Sequence, residues 1–323
     1  MNIIFLLLSI FSNFTSKAYA HVGYVVGQSD FSASLGRDSS YFFSPLSNKN
    51  NILMILATLV GVFVLYFLAW KIKPIRNRII ALRARLDTYD EYVPWILRLS
   101  LGIALIGASV AHVLISPVLH VGAFSAIQLI VGFALLAGFL VVPSAIIALV
   151  LYVVALSQSF YIAGNLELAS ALISLLILGS MRPGLDDLFG VPHIKTDRFK
   201  KYVPLLLRLG IGGALVFLSL YEKVLNPHVS DLVVVKYGLD NIIPVGAAMW
   251  VFAVGMIELA VGLFILIGFQ TRLVTAVAFV VLMTTFFFFK EEVYSHVTLF
   301  GVLSALFITG AGPWSLDSVL KRR

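Results

Sequence analysis

The chain has 323 residues, of which 60% are hydrophobic and only 12% are charged, and its mean hydropathy is +1.00. A water-soluble fold of this length cannot bury so much apolar surface, so the composition predicts an all-α, polytopic membrane protein. The net charge of +7 does not indicate binding to nucleic acid, because the basic residues lie between apolar runs rather than in a patch with aromatic residues. The absence of cysteine excludes disulfides, thiolate catalysis and cysteine-ligated iron–sulfur clusters.

Residues 1–20 are typical of a secretory signal peptide, because a short apolar core ends in the small-residue pattern Ala18-Tyr19-Ala20. The segment lacks a basic start, which leaves an uncleaved anchor open as the alternative. The polar residues 21–50 are predicted to be an extracytoplasmic tail. Cleavage would expose His21, whose amine and imidazole can chelate copper, but no second histidine lies nearby. We predict neither a metal nor a flavin site.

Nine apolar runs follow, each about long enough to cross a bilayer. The first belongs to an anchor helix that is followed by a basic segment, together covering residues 51–91. The runs cover 51–70, 95–116, 124–142, 145–163, 166–181, 203–221, 247–268, 273–289 and 294–310.

The basic residues predict the orientation of these spans. With the mature amino terminus outside, five Lys and Arg residues face outward, namely Arg37, Lys49, Lys223, Lys236 and Lys290. Fifteen face inward: Lys71, Lys73, Arg76, Arg78, Arg83, Arg85, Arg182, Lys195, Arg198, Lys200, Lys201, Arg272, Lys321, Arg322 and Arg323. By the positive-inside rule, we expect a multi-pass protein of the cell membrane with a cytoplasmic carboxyl terminus.

The chain also repeats itself. Residues 92–117 and 202–227 share 11 identities in 26 positions at a constant offset of 110, including tyrosine, proline and arginine in register. Residues 127–139 match 257–269 at an offset of 130. We therefore predict two tandem four-helix bundles, at 92–190 and 200–320. An even number of spans gives both units the same orientation, which disfavours an inverted-repeat transporter.

Three ionisable residues distinguish the second unit from the first. An ionisable group in a membrane span costs roughly 3 kcal/mol by insertion scales, so it is a candidate functional residue. Glu258, Arg272 and His296 lie in or at the ends of spans, and Gln128, Val142 and Asn165 occupy the corresponding positions of the first unit. The second unit is thus predicted to carry the activity and the first to be a scaffold.

The second unit resembles the DoxX family of four-helix membrane proteins. The resemblance is carried by LLRLGIGGALVFLSLYEKVL, by GMIELAVGLFILIGFQTRLVTAVAFVVLM, by His296 and by the closing GAGPWSLD. It covers roughly residues 200–320 well and 92–190 weakly. The family includes subunits of quinone-linked oxidoreductases, so the resemblance implies a membrane subunit of a quinone-linked respiratory or redox system.

Glu258, His296 and Tyr221 are the candidate catalytic residues, and the first two are the candidate quinone-binding residues. Glu258 lies halfway along its span and can bind a quinone carbonyl or carry protons, or it can simply anchor a neighbouring helix. His296 begins the last span on the outer side. Tyr221 ends the run 203–221 on the same side, and Glu222 and Lys223 follow it. They either join Glu258 in an outer-half pocket or serve as interfacial anchors.

A second group of charged residues lies on the inner side and is predicted to be structural. Arg272, Arg208 and Asp317 are expected to form buried ion pairs that close the bundle. The first unit repeats this set as Arg98 and Asp186, which favours an architectural role.

Three functions are compatible with these features. The leading one is a membrane subunit that binds a quinone while a protein partner supplies the redox centre. The alternative is a non-enzymatic scaffold that holds a partner protein in the bilayer, and the sequence does not decide whether the chain is itself an enzyme. A small-solute transporter comes third, because the few polar residues hardly provide a hydrophilic pathway.

Overall fold

The computed structural model describes residues 30, 33–179, 184–191 and 197–320, and these residues form helices without strands. Within this part of the chain, seven helices are long and apolar enough to cross a membrane, and two shorter apolar helices accompany them. The protein is therefore a polytopic α-helical membrane protein, as its composition predicts. The predicted signal peptide, His21 and the three terminal basic residues lie outside the described residues.

The α-helices of five or more residues are labelled here, and seven of them lie in the amino-terminal part and the first predicted unit. They are α1 (Ser39–Phe43), α2 (Lys49–Lys71), α3 (Lys73–Leu86), α4 (Val93–Val110), α5 (Ser125–Ala137), α6 (Val141–Gln158) and α7 (Leu166–Leu178).

The second predicted unit contains the remaining ones. They are α8 (Val203–Leu218), which continues as a π-helical turn over Ser219–Leu225, then α9 (Pro227–Tyr237), α10 (Ala247–Ile267), α11 (Thr271–Phe289), α12 (Val293–Thr309) and α13 (Leu316–Leu320). Following the predicted orientation, we call the side on which α2 begins and α8 ends the outer side.

Local sequence explains where several of these helices begin and end. Helices α4 and α8 both start with Val-Pro, and proline suits the first turn because its missing N–H has no intrahelical acceptor there. Helices α5 and α10 both end at a glycine in the left-handed conformation, Gly138 at φ 67° and Gly268 at φ 68°. Each is followed by a sharp turn into the next span.

Four of the thirteen labelled helices were not predicted, and two of them, α1 and α13, are only five residues long. The basic segment after the anchor forms α3, and the polar stretch after the first span of the second unit forms α9. Both are only partly apolar, so a search for membrane spans passes over them. Helices α5 and α7 are shorter than their predicted runs, because α5 ends at Gly138 and α7 at Gly179.

The two predicted bundles share one core. Helix α4 of the first unit packs chiefly against α5 and against α12 of the second unit. In the same way, α8 of the second unit packs against α10 and against α7 of the first unit. A continuous cluster of buried side chains, including Leu101, Leu172, Leu207 and Leu303, joins the two units.

Corresponding residues of the two units make the same contacts. The Ser109 hydroxyl donates to the carbonyl of Ser125 at 2.6 Å, and the Ser219 hydroxyl donates to the carbonyl of Gly255 at 2.8 Å. These pairs are related by the offsets of 110 and 130 found in the sequence. The two contacts are thus equivalent under the proposed alignment, while the tandem repeat itself stays a prediction.

The amino-terminal helix α1 docks against the outer side of the second unit. Phe42 is 1% exposed and packs on Phe252 with ring centroids 5.2 Å apart. Outside the spans, Asp38 lies 2.9 Å from His228 Nε2, and the Tyr41 hydroxyl donates to Asp231 at 2.6 Å. Hydrogen bonds from Ser40, from the Tyr41 amide and from His228 lower the pKa of Asp38. This helix covers the wall formed by α9 and α10.

Candidate functional site

The π-helical turn at the end of α8 places two charged residues inside the protein. Glu222 is 0% exposed and Lys223 is 7% exposed. The turn lies close to α10 at Gly255, where a Cβ atom would be 2.9 Å from the Cβ of Lys223 and 2.8 Å from the Phe42 ring. Glycine thus permits this close approach. Wide turns of this kind are rare and occur often at functional sites.

Lys223 joins two carboxylates. Its Nζ lies 2.6 Å from Glu222 Oε2 and 2.9 Å from Glu258 Oε2. The Glu258 side chain is 16% exposed, so all three groups are largely removed from water. A buried charge needs such partners, because the loss of hydration costs several kcal/mol per ion. The three residues form what we call the Lys223 cluster.

A second polar pair lies where α11 passes into α12. His296 Nε2 is 2.8 Å from Glu291 Oε2, and His296 Nδ1 is 3.0 Å from the Ser295 hydroxyl. The imidazole is 5% exposed and packs against the rings of Phe286 and Phe300. Between the two spans, burial raises the pKa of Glu292.

The Lys223 cluster and the His296 pair open onto one cavity of about 250 Å³. Its walls come from α8, the π-helical turn and α9 to α12. Eleven of its seventeen lining residues are apolar, and Lys223, Glu258, Glu291 and His296 supply the charged or titratable groups. A mostly apolar cavity with a few convergent polar groups is the usual form of a small-molecule site.

The third candidate, Tyr221, lies elsewhere. Its ring stacks on Phe217 at a centroid distance of 5.5 Å and contacts Tyr161 edge to face at 5.6 Å. It is not among the residues that line the cavity. The structure thus places Glu258 and His296 on one cavity, whereas Tyr221, which lies within the π-helical turn, packs against Phe217 and Tyr161 instead.

The inner-side residues do not pair as predicted. Among the described residues, no salt bridge joins Asp317 to Arg272 or Arg208. Asp317 instead accepts hydrogen bonds from the backbone amides of Gln270 and Thr271, at 2.7 and 3.0 Å, and so caps the start of α11.

Arg208 contacts carbonyl groups, and the first unit repeats the capping arrangement. The Arg208 guanidinium is buried and donates to the carbonyls of Leu266, Pro313 and Trp314 at 2.8 to 3.2 Å. Asp186 accepts from the amides of Leu140 and Val141 at the start of α6, as Asp317 does for α11. Arg98, which corresponds to Arg208, is likewise buried. Carboxylates at helix starts and a guanidinium at a helix end also suit the helix dipoles.

Arg272 ties α11 to the basic helix α3. It contacts the carboxylate of Asp87 and donates to the carbonyls of Arg83 and Ile308. We expect Arg272→Ala to lower the free energy of unfolding by about 1–2 kcal/mol, because it removes these hydrogen bonds. Asp87→Ala should cost less than about 1 kcal/mol, since the Asp87 side chain is 65% exposed. Thermal melting in detergent measures the stability loss of each variant. If Arg272→Ala is as stable as the unaltered protein but has lost function, Arg272 belongs to the functional site instead.

The counterpart of Glu258 in the first unit is Gln128. Gln128 contacts backbone groups and does not take part in a charged cluster like that of Lys223. Gln128 is 0% exposed, accepts a hydrogen bond from the Ile115 amide at 2.9 Å and donates to the Val113 carbonyl at 2.7 Å. The chain that follows α4 is therefore folded back onto α5. Gln128 holds a loop in place.

Loss of the Gln128 amide should affect stability rather than ligand binding. We expect Gln128→Ala to lower the free energy of unfolding by about 2–3 kcal/mol, because it strands two buried backbone groups. Ligand affinity at the cavity of the second unit should stay within about twofold of the unaltered protein. Melting temperature and ligand titration on one sample separate the two effects, and a large loss of affinity in a stable variant would contradict the structural role.

Two polar residues that contact the site, Glu291 and Tyr161, were not predicted, and neither was the buried Glu167, which lies outside it. Glu291 lies in the loop sequence Lys290-Glu291-Glu292, which resembles any solvated connection between spans. Tyr161, whose hydroxyl donates to Glu222 Oε1, comes from the first unit. Glu167 is a second buried carboxyl group in a span, and its Oε2 has no hydrogen-bond partner among the described residues. Its position inside the apolar run LELASALISLLIL is the sequence feature that could have identified Glu167 as a candidate.

The fold and the buried polar residues define an integral membrane protein with a polar cluster inside its second half. The DoxX family model matches residues 203–291, which confirms the resemblance over this segment. The matched segment contains Glu222, Lys223, Glu258 and Glu291, and it ends before His296. The weaker resemblance of residues 92–190 stays a prediction. No curated protein and no solved structure is similar enough to the chain to count as a match.

Proposed function

We propose that the cavity beside the Lys223 cluster binds a quinone and that the chain is a membrane subunit of a quinone-linked redox system. The observation that carries this proposal is an ammonium group held between two carboxylates at the wall of a mostly apolar cavity. A quinone ring is apolar on its faces and carries carbonyl oxygens at its edge. Such a ligand needs this combination of apolar walls and hydrogen-bond donors.

The donors of the cavity fit a carbonyl oxygen. An ammonium group has three N–H bonds, and the two carboxylates engage two of them. The third is available for a ligand carbonyl. His296 provides a polar ring on the same cavity, and its two ring nitrogens can donate or accept hydrogen bonds. Lys223 and His296 would therefore hold the ligand, with Glu258 and Glu291 orienting them.

A bound quinone supplies a redox couple of two electrons and two protons. The residues of this chain orient the ring, exclude water from it through the apolar walls, and hold or release protons at Glu258 and His296. The chain has no cysteine with which to hold an iron–sulfur cluster. A partner protein is therefore proposed to exchange the electrons.

Tryptophan fluorescence tests the binding proposal. Trp250 lines the cavity, and a quinone within contact distance quenches indole emission. Titration of the purified protein in lipid nanodiscs with decylubiquinone should give saturable quenching in a variant that keeps only Trp250. A variant that keeps the other three tryptophans and carries Trp250→Phe is the control. Equal, non-saturable quenching in both would reject the site.

A scaffold function is the second candidate, and the anchor helix favours it. None of the apolar window in span Lys49–Leu68 is buried within the chain. Helix α2 is therefore free to pack on lipid or on another membrane protein. Replacement of its exposed apolar residues should release a partner without changing decylubiquinone binding, if holding a partner is the principal role.

The proposed orientation places the amino terminus outside and the carboxyl terminus in the cytoplasm. It rests on the distribution of 15 inner and 5 outer basic residues over nine spans. Reporter fusions at Lys49 and Arg323 should therefore report opposite faces of the membrane. Reporters on the same face would contradict the span count, and reversed reporters would contradict the orientation.

A further inference from the structure

The Lys223 cluster continues through the protein to a tyrosine of the first unit. The Tyr161 hydroxyl donates to Glu222 Oε1, while the other oxygen of the same carboxylate faces Lys223. Lys223 in turn reaches Glu258 at the cavity. The four groups form a continuous chain of hydrogen-bonding atoms, and each is at least four-fifths buried.

This series of hydrogen-bonded groups connects the cavity to the outer end of the first unit. Tyr161 lies on the 3-10 turn Phe160–Asn165, which links the end of α6 to the start of α7. In the proposed orientation that turn belongs to the outer side, as does the π-helical turn of α8. Tyr161 is itself 6% exposed, so this end of the series is also shielded from bulk water.

The charge balance of the cluster leaves room for one proton. With all three groups ionised, Glu222, Lys223 and Glu258 carry a net charge of −1. One carboxylate is enough to neutralise the lysine, and a net charge is costly in a buried site. A purely structural pair has no need of the second carboxylate, whereas a site that accepts and releases a proton does.

We infer that Glu222, Lys223 and Glu258 share one proton between the cavity wall and the buried Glu222, with Tyr161 as a positioning residue contributed by the first unit. The inference rests on the proposed function for the source of the proton. Protonated Glu258 gives its proton to Lys223 as Lys223 gives one to Glu222, so that Glu258 becomes a carboxylate and Glu222 a carboxylic acid. Lys223 remains an ammonium, and no electron moves in this step.

Carbodiimide labelling tests the shared proton without the redox partner. Dicyclohexylcarbodiimide adds to the protonated form of a membrane carboxyl group, so the yield of labelled Glu258, mapped by mass spectrometry, reports its protonation. The full chain in nanodiscs is labelled between about pH 5 and pH 9. In Tyr161→Phe, Glu222 loses a hydrogen-bond donor and holds the shared proton more firmly. The yield at Glu258 near neutral pH should fall about threefold or more.

Tyr221→Phe is the matched control, because it removes a hydroxyl from the neighbouring ring, which contacts Tyr161 edge to face. It should leave the labelling profile of Glu258 unchanged. Glu222→Gln is the second variant. It removes the competing carboxylate, so the remaining pair is neutral, and labelling of Glu258 should fall about tenfold or more at neutral pH.

Unchanged labelling of Glu258 in folded Tyr161→Phe, or an equal change in Tyr221→Phe, overturns the inference. If Tyr161→Phe does not fold, unchanged labelling in Glu222→Gln overturns it instead. Protection of Glu258 by decylubiquinone is scored separately on the unaltered protein. A lack of protection rejects the quinone proposal, while the response to Tyr161→Phe still decides whether the three groups share a proton.

Discussion

Lys223→Met is expected to lower the free energy of unfolding by about 3–5 kcal/mol, more than any other single substitution in the Lys223 cluster. Lys223 is the cation within hydrogen-bond distance of both Glu222 and Glu258. Its removal strands two carboxylates in a site that is shielded from water, and an unpaired buried charge carries a penalty of this size. Thermal melting of the purified protein in detergent, or its yield in the membrane, measures the loss.

The charge explanation has its own control. The triple variant Glu222→Gln, Lys223→Met, Glu258→Gln contains no ion in the cluster and nearly preserves side-chain volume. It should recover most of the stability that Lys223→Met loses, because buried ion pairs can be replaced by neutral groups at little cost. If Lys223→Met is as stable as the unaltered protein, or if the triple variant is no more stable than Lys223→Met, charge pairing is not what holds the π-helical turn.

Glu258→Gln is expected to weaken decylubiquinone binding by about tenfold or more, which corresponds to about 1.4 kcal/mol. Glutamine has the size of glutamate but lacks the charge that holds the Lys223 ammonium at the cavity wall. The lysine should then turn toward Glu222 and lose its contact with a ligand carbonyl. Quenching of Trp250 fluorescence in nanodiscs gives the dissociation constant directly.

Glu167→Gln is the matched control for this prediction. Glu167 is also a buried carboxyl group of a span, but it belongs to the first unit and does not line the cavity. Its substitution should change the dissociation constant by less than about twofold. Equal losses in Glu258→Gln and Glu167→Gln would remove the distinction between the two units and favour a purely structural role for both carboxylates.

The sequence predicts the class, the spans and part of the site because these depend on local composition. Apolar runs of bilayer length mark helices, and all nine predicted runs coincide with apolar helices of the structure. Glu258 and His296 stand out because an ionisable residue is costly within an apolar run. Both line the same cavity.

The residues that sequence reasoning missed depend on contacts between distant parts of the chain. Tyr161 and Glu222 are 61 positions apart, and no local pattern indicates that they touch. For Lys223 the sequence left two roles open, a pocket residue or an interfacial anchor, and the widened turn of α8 brings it inward to Glu258. The pairing of Arg272 with Asp317 failed for a related reason. Charge alone does not show that Asp317 caps a helix while the Arg272 guanidinium reaches an exposed aspartate at the end of α3.

The comparison of the two units was informative about Gln128 but misleading about the first unit as a whole. Gln128 has a structural role, as its lack of charge suggests. Yet the first unit supplies Tyr161 to the cluster of the second. Because α7 packs against α8, the two units share the site as well as the core.

Photolabelling with an azidoquinone is the most direct test of the proposed quinone site. The protein in nanodiscs is irradiated with the probe, and the labelled peptides are mapped by mass spectrometry with and without excess decylubiquinone. The cavity predicts label on α10 and α12, near Glu258 and His296, that decylubiquinone displaces and that Glu258→Gln reduces. Label confined to the lipid-facing surface of α2, or label that decylubiquinone does not displace, would contradict a quinone site in this cavity.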